Sequence, residues 1–243
     1  MKIAVVCKGF IGDHLFATGL APDFKELYKE TFEFGVKEVF VDYIVEVHQV
    51  MGLFENDPNI DNVYHVLDCP NLDTYDKVYT IPEVDQSIAP PSQFRQHCGI
   101  QNDNCGYKIY TNKGIDRSVR SMVKRHGKKL IGWQANWSEK SFIYTPKQYE
   151  EGVNHPPDLG YGGKRRDVQY IVDKLSEDYN MVAVGYPSGT PNNKNAPMGG
   201  IMSAGLYSAT ASLLKMCDYM IGGESGLINL AAGVGTKTII TGD

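Results

Sequence analysis

Residues 217–243 read CDYMIGGESGLINLAAGVGTKTIITGD, and this stretch decides the fold. Its apolar runs predict a buried strand over Asp218–Ile221 and a second buried strand over Thr238–Thr241. Between them a glycine-rich turn leads into a helix over Leu227–Ala232, and the glycines that follow are expected to end this helix. A strand, a helix and another buried strand in this order indicate an α/β fold.

The turn Gly222–Gly226 carries almost no side-chain bulk. Backbone N–H groups at the start of the following helix would face open space, and a ligand could approach closely because no Cβ atoms stand in its way. Such a turn is typical of an anion site, with phosphate as the usual occupant. The alternative is structural: Ser225 caps the helix and the glycines form the turn. The spacing leaves both interpretations open.

The first 30 residues show a similar strand, turn and helix. Met1–Cys7, MKIAVVC, predicts a buried parallel strand, and a glycine-bearing turn leads into a helix predicted from His14 to about Lys29. The glycine spacing, Gly9-x-x-Gly12, departs from the GxGxxG pattern of dinucleotide-binding turns and disfavours a nicotinamide-dependent oxidoreductase.

Asp13 stands where this first helix begins. The helix dipole and the free N–H groups hold a carboxylate at this position ionised, so it can accept a proton. The alternative is that Asp13 only caps the helix.

The C-terminal block resembles the signature of the family 9 glycosyltransferases, the lipopolysaccharide heptosyltransferase group. In that signature a strand leads to an acidic residue, then Ser or Thr, then Gly, and the helix ends in small residues and Gly-Thr. Glu224-Ser225-Gly226, Leu230-Ala231-Ala232 and Gly235-Thr236 stand in those places. The family usually carries Asp where this chain has Glu224, and His where it has Asn229.

Two further blocks carry the resemblance. Gly12-Asp13-His14-Leu15 is similar to the start of the family's first helix, and a third block follows the predicted strand Leu130–Gln134. There Lys140 stands at the family's Lys-aromatic step, while its His-Pro-Gly is replaced by Gln134-Ala135-Asn136. In the family this Lys contacts the donor diphosphate, and a Lys can neutralise the charge that grows on a leaving nucleoside diphosphate. The alternative is an ordinary surface Lys.

The resemblance implies two Rossmann-like domains that face each other across a cleft, as in the GT-B architecture. We expect an acceptor-side domain over residues 1–127 and a nucleotide-sugar-binding domain over residues 128–243, with a helix predicted over Asp116–Lys129 at the junction. The implied reaction is the inverting transfer of a sugar such as heptose from a nucleoside-diphosphate sugar to a saccharide or glycolipid acceptor, such as lipopolysaccharide core. Asp13 is expected to be the general base. The expected donor-binding residues are Gly12, Lys140, Glu224, Ser225, Gly226 and Asn229.

Composition narrows the partners and the compartment. The net charge of -5 disfavours nucleic-acid binding, and no DxD-type metal motif stands at a strand end, so neither a metal nor a cofactor is expected. No apolar run approaches the roughly 18 residues of a membrane helix, so membrane contact is expected to be peripheral at most. The 5 cysteines form no CxxC pair, which predicts free thiols in a reducing cytoplasm.

The sequence ends at Asp243, directly after its last predicted strand, where the family continues with further helices. We therefore expect a truncated second domain. Two alternatives to an active transferase stay open. One is a nucleotide- or sugar-binding remnant without turnover, and the other is a different Rossmann enzyme, such as an oxidoreductase or a sugar epimerase.

Overall fold

The computed structural model describes residues 1–9, 11–30, 38–81, 90–101, 106–123, 127–134, 174–184, 207–223 and 225–240. The chain divides into two compact units. Unit 1 comprises Met1–Ile115 and Leu206–Ala211, and unit 2 comprises Asp116–Gly205 and Ser212–Asp243. The predicted α/β class is confirmed, and both sheets are parallel. The division after residue 127, the facing arrangement of the domains and the truncation stay predictions.

The first part of the chain alternates strands and helices. In order, it contains β1 (Lys2–Cys7), α1 (Ile11–Ala17), α2 (Leu20–Glu30), β2 (Phe40–Val45), a 3₁₀ turn (His48–Val50), α3 (Met51–Phe54), β3 (Asn62–His65), a second 3₁₀ turn (Leu72–Thr74), β4 (Lys77–Ile81) and α4 (Pro90–His97). Its strands form one parallel sheet in the order β3-β2-β1-β4. All residues of β1 after Lys2 are buried, which explains the continuous apolar run that predicted this strand.

The order of this sheet reverses at β1. The chain moves outward from β1 through β2 to β3, and β4 then pairs with the other side of β1. In open parallel sheets, ligands bind at such a reversal, beyond the carboxyl ends of the two strands concerned. The turn that leaves β1 and enters α1 lies at this place.

The helix predicted from His14 to about Lys29 is wrong as a single element, because it is interrupted between α1 and α2. Pro22 gives the local reason: a proline ring clashes with the carbonyl four residues earlier, here that of Thr18, and proline has no N–H to donate. Gly19 gives the tertiary reason, since a Cβ atom there would lie 2.7 Å from the carbonyl oxygen of Gly106. The chain therefore bends at Thr18 and Gly19.

The second part of the chain repeats the alternation. It contains α5 (Lys113–Met122), β5 (Leu130–Gln134), β6 (Asn180–Val184), α6 (Tyr207–Met216), β7 (Tyr219–Gly222), α7 (Gly226–Gly233) and β8 (Lys237–Ile240). Its strands form a parallel sheet in the order β6-β5-β7-β8. The order reverses between β5 and β7, which are neighbours with Trp133 opposite Ile221. A second reversal therefore lies at β5 and β7, and in open parallel sheets ligands bind beyond the carboxyl ends of such a strand pair.

Helix α5 differs from its prediction over Asp116–Lys129 at both ends. It begins at Lys113, because the Oδ1 atom of Asn112 accepts the N–H groups of Gly114 and Ile115 at 2.8 and 3.2 Å and so caps the first turn. It ends at Met122, and residues 127–129 are not helical, with Gly127 at a left-handed φ of +74°.

Helix α7 ends as the sequence predicted. Gly235 has a left-handed φ of +86°. The N–H groups of Gly235 and Thr236 donate to the carbonyls of Ala232 and Ala231, each at 2.9 Å, which is the bond pair of a Schellman motif. Within the ranges described above, no helix combines the length and the apolar character that crossing a bilayer requires.

Candidate functional site

Asp13 lies in the first turn of α1, directly after β1. Its carboxylate lies close to Gly9 in the preceding turn, so close that a Cβ atom at Gly9 would be only 2.6 Å from Asp13 Oδ2. Gly9 also has a left-handed φ of +97°. A glycine is therefore required at this position, both for the backbone conformation and for the approach of the carboxylate.

The charge of Asp13 acts on the buried end of β1. The pKa of the Cys7 thiol is raised far above its usual value, first by burial and then by the nearby Cys98 and Asp13. Cys7 consequently stays protonated at neutral pH and is not a nucleophile. Asp13 itself is only half-buried, whereas His14 beside it is fully buried. Asp13 therefore lies at the first reversal point with its side chain partly accessible.

The second reversal point joins the ends of β5 and β7. The Ser225 hydroxyl, just after β7, donates a buried hydrogen bond of 2.9 Å to Oε1 of Gln134, the last residue of β5. Gly222 makes room for this contact, since a Cβ atom there would lie 2.6 Å from the same Gln134 oxygen. Gly222, Gln134 and Ser225 therefore form one packed group at the carboxyl edge of the sheet.

The bond from Ser225 to Gln134 means that the Ser225 side chain does not cap the helix that follows. Ser225 occupies the N-cap position of α7 with extended backbone, yet its side chain makes no capping bond. Its carbonyl accepts the N–H of Asn229 at 3.1 Å, the first bond of the helix ladder. The N–H groups of the first turn, beginning at Gly226, are thus not capped by Ser225 and lie at the reversal point. They favour an anionic group because of their hydrogens and the helix dipole.

The structure places the predicted residues in two groups. Gly12 and Asp13 belong to unit 1, and Ser225, Gly226 and Asn229 lie together at the start of α7 in unit 2. Lys140 and Glu224 lie outside the described residues. Their predicted roles, and those of the described residues, stay predictions.

Sequence reasoning missed the contribution of Gln134. It registered this residue only as a replacement for the family's His-Pro-Gly, whereas the structure makes it the partner of Ser225. The signal was its position, since a polar residue ending a buried strand of a parallel sheet lies at the ligand-binding edge. In the part of the chain described here, no three His, Cys, Asp or Glu side chains are grouped so that they could hold a metal ion.

Comparison with known proteins supports the fold. No family model matches the chain, and no curated protein matches it. Among solved structures, the glycosyl transferase family 9 protein from Veillonella parvula DSM 2008 is similar, with a TM-score of 0.65 at 10% identity, over 98% of this chain and 79% of that one. ADP-heptose lps heptosyltransferase II of E. coli gives a TM-score of 0.61 at 11% identity, over 99% and 84% of the two chains.

A third similar structure is E. coli heptosyltransferase WaaC with ADP-2-deoxy-2-fluoro heptose. Its TM-score is 0.57 at 10% identity, over 99% of this chain and 88% of that one. At such identities the likeness shows the fold and leaves the chemistry open. The resemblance stated from the sequence motifs is confirmed at this level: the chain has the fold of these glycosyltransferases.

Proposed function

We propose that this protein is a glycosyltransferase that moves a sugar from a nucleoside-diphosphate sugar to a saccharide or glycolipid acceptor. In this proposal the two units are the halves of a GT-B transferase, the first holding the acceptor and the second holding the donor. An ADP-linked heptose is the first donor to test, because one similar structure is named as containing ADP-2-deoxy-2-fluoro heptose. We further propose that the protein acts in the cytoplasm, which the cysteines Cys7, Cys69 and Cys98 support, since none of them is in a disulfide in the described part of the chain.

The observation that carries the proposal is the start of α7. The Ser225 side chain bonds to Gln134 instead of capping the helix, so the first N–H groups of α7 receive no capping bond from it and lie at the reversal point of the sheet, where they favour an anion. A nucleoside diphosphate supplies such an anion. The likeness of the fold to glycosyltransferases then favours a nucleotide-sugar over other phosphorylated ligands.

The proposed reaction is an inverting displacement. Asp13 removes the proton from an acceptor hydroxyl, whose oxygen attacks the anomeric carbon of the donor sugar and forms the new glycosidic bond. The bond from that carbon to the diphosphate breaks on the opposite face, and its electron pair leaves with the nucleoside diphosphate. The N–H groups of α7, together with Lys140, stabilise the leaving charge in this proposal.

Donor binding is tested by thermal unfolding with ADP, GDP, UDP, CDP and NAD in separate samples. A ligand that binds only the native state, at a hundredfold excess over its Kd, adds about 2.7 kcal/mol to the free energy of unfolding. We expect one nucleoside diphosphate to raise the Tm. Stabilisation by NAD alone would instead support an oxidoreductase, and no stabilisation by any of the five would contradict the proposed donor site.

Catalysis is tested with Asp13→Asn. Transfer from ADP-heptose to lipopolysaccharide-core acceptors is followed by nucleotide release and by mass spectrometry of the product. We expect turnover to fall by about 10²-fold or more, as for loss of a general base, while the Tm increase with the nucleoside diphosphate persists. Asp73→Asn changes an exposed carboxylate of the second 3₁₀ turn and is the matched control, which should retain full turnover. Nucleotide binding without wild-type turnover would identify a binding remnant.

A further inference from the structure

Unit 1 contains an open cleft that is separate from the β1–α1 turn. Its volume is about 350 Å³, and it lies between the α1–α2 junction, the turn that precedes β3, and the segment 106–110. Clefts that bind small molecules begin at about 300 Å³, so a ligand of one or two rings fits this space. Nothing in the proposed transfer reaction uses this cleft.

Asp57 provides a polar wall of the cleft. The side chain is only 5% exposed, and its Oδ1 atom accepts the backbone and side-chain N–H groups of Asn59 at 2.9 and 3.0 Å. These bonds hold the carboxyl group in one orientation, and Oδ2 accepts no hydrogen bond from the residues that the structure describes. Burial raises the pKa of Asp57, and the nearby Lys25 and Lys108 lower it only in part. Asp57 therefore presents an oriented carboxylate in the lining of the cleft.

Aromatic rings provide a second wall. Tyr107 is half-buried, and its ring packs edge-to-face on Phe16 with a centroid distance of 5.2 Å. Tyr110 is also half-buried, and the ammonium group of Lys108 lies 4.8 Å from the centre of its ring. Both tyrosines line the cleft, and Tyr107, which Phe16 holds in position, offers an apolar ring to a ligand.

Arg95 links two segments of the cleft lining. It is 2% exposed and pairs with Asp23 at 2.6 Å. Its Nη2 atom donates to the carbonyls of Gly19 and Gly106, at 3.1 and 3.0 Å. One side chain thereby ties the α1–α2 junction to the start of the segment 106–110. A site whose walls are fixed in advance loses less entropy when a ligand binds.

The lining disfavours two classes of ligand. Arg95 offsets the charge of Asp23, and Glu26 and Asp57 then face Lys108 as the other cation of the lining, so a phosphorylated or carboxylated ligand would meet a small excess of negative charge. A metal ion is also disfavoured, because the described side chains include no cluster that could ligate one. A neutral ligand with many hydroxyl groups and an apolar ring face matches the lining.

We propose that this cleft binds a neutral saccharide. Its hydroxyl groups donate to Asp57 Oδ2 and to the exposed carboxylate of Glu26, and its ring face packs on Tyr107. Such a site discriminates sharply, since a sugar that lacks the matching hydroxyl leaves a buried carboxylate without its partner. The inference does not depend on the proposed transferase activity, because it rests on the lining of unit 1 alone.

The test is saturation-transfer NMR with the full chain and the methyl glycosides of glucose, galactose, mannose and N-acetylglucosamine. Each is used at about 10 mM, which detects Kd values into the millimolar range. We expect saturation transfer to at least one glycoside. Asp57→Asn and Glu26→Gln should each weaken its binding about tenfold or more, since tenfold is the lower end of the range for a hydrogen bond to a charged group.

Glu55→Gln is the matched control for Glu26→Gln. Glu55 is also exposed and lies close in the chain to Asp57, but it is not among the residues that line the cleft, so its replacement should leave the Kd unchanged. Each variant is first checked for an unchanged circular dichroism spectrum. Absence of binding by all four glycosides, or binding that neither cleft variant weakens, would overturn the proposal. Nucleoside diphosphate binding, measured in parallel, reports separately on the donor site of unit 2.

Discussion

Arg95 is the residue whose replacement tests the packing of unit 1 most directly. In Arg95→Met the chain keeps an apolar stem of similar length but loses the guanidinium group. Asp23, which is 9% exposed, then remains as a buried charge, and the carbonyls of Gly19 and Gly106 lose the donor that Nη2 supplies. Removing one partner of a buried ion pair costs about 3–5 kcal/mol, and the orphaned carbonyls place this case near the upper end.

Urea unfolding followed by circular dichroism measures this cost. For a chain of this length, 1 kcal/mol corresponds to about 2–4 °C in Tm, so a decrease on the order of 10 °C should accompany the lower free energy of unfolding. The double variant Asp23→Leu, Arg95→Met should be more stable than Arg95→Met alone, because an apolar pair no longer leaves a buried charge. The difference in stability between the single and the double variant therefore measures the cost of the buried Asp23 charge, apart from the cost of lost packing.

Lys215→Met is the control. Lys215 is 50% exposed and pairs with Asp116 at 3.1 Å, so its loss should cost only about 0–1 kcal/mol. If Arg95→Met costs no more than this control, or if the double variant is as unstable as the single one, the reasoning about a buried charge is refuted.

Four further predictions follow from single contacts. Gly9→Ala should reduce the free energy of unfolding by about 1–2 kcal/mol, measured by urea unfolding, because Gly9 has a φ of +97°. It should also lower turnover in the transfer assay, because the new Cβ atom displaces the Asp13 carboxylate. Gly222→Ala should displace Gln134 from Ser225 and abolish the Tm increase with nucleoside diphosphate. Gly99→Ala has open space around its Cβ atom but a left-handed φ of +72°, so it should lower the Tm and still leave that increase intact. Cys69 is half-buried, whereas burial raises the pKa of the Cys98 thiol to about 12. Cys69 should therefore react with Ellman's reagent at pH 8 faster than Cys98 does, and mass mapping of the labelled thiols measures the difference. Burial raises the pKa of Asp57 above 3.8, so the folded state binds the proton more tightly than the unfolded state does. The free energy of unfolding therefore falls as the pH rises through the folded pKa. Asp57→Asn removes this charge and should raise the Tm at pH 7 but not at pH 3.

The strands were predictable because of where they lie in the sheets. A central parallel strand is covered on both faces, so β1, β5 and β7 are continuous apolar runs that a reader of the sequence can recognise. The end of α7 was predictable for a local reason too, since only glycine takes the left-handed conformation of Gly235 without strain.

The helices were harder, because their ends depend on partners far away in the chain. The interruption of the first helix combines a local signal, Pro22, with the approach of Gly106 to Gly19, which no local pattern reveals. The start of α5 depends on the side chain of Asn112, whose capping bonds shift the helix by three residues from its predicted start.

The sequence by itself determined the α/β class, the parallel strands and the turn that contains Ser225, because buried strands and glycine turns have recognisable local sequences. It placed Asp13 in a turn before the helix, whereas α1 begins at Ile11 and includes Asp13. Only the tertiary structure decided which side chains meet. Gln134 and Ser225 are 91 residues apart in the chain, and Arg95 and Asp23 are 72 apart. Such pairings depend on the order in which the strands assemble and on how the loops pack. Folding brings these residues together, and the sequence around each of them does not predict its partner.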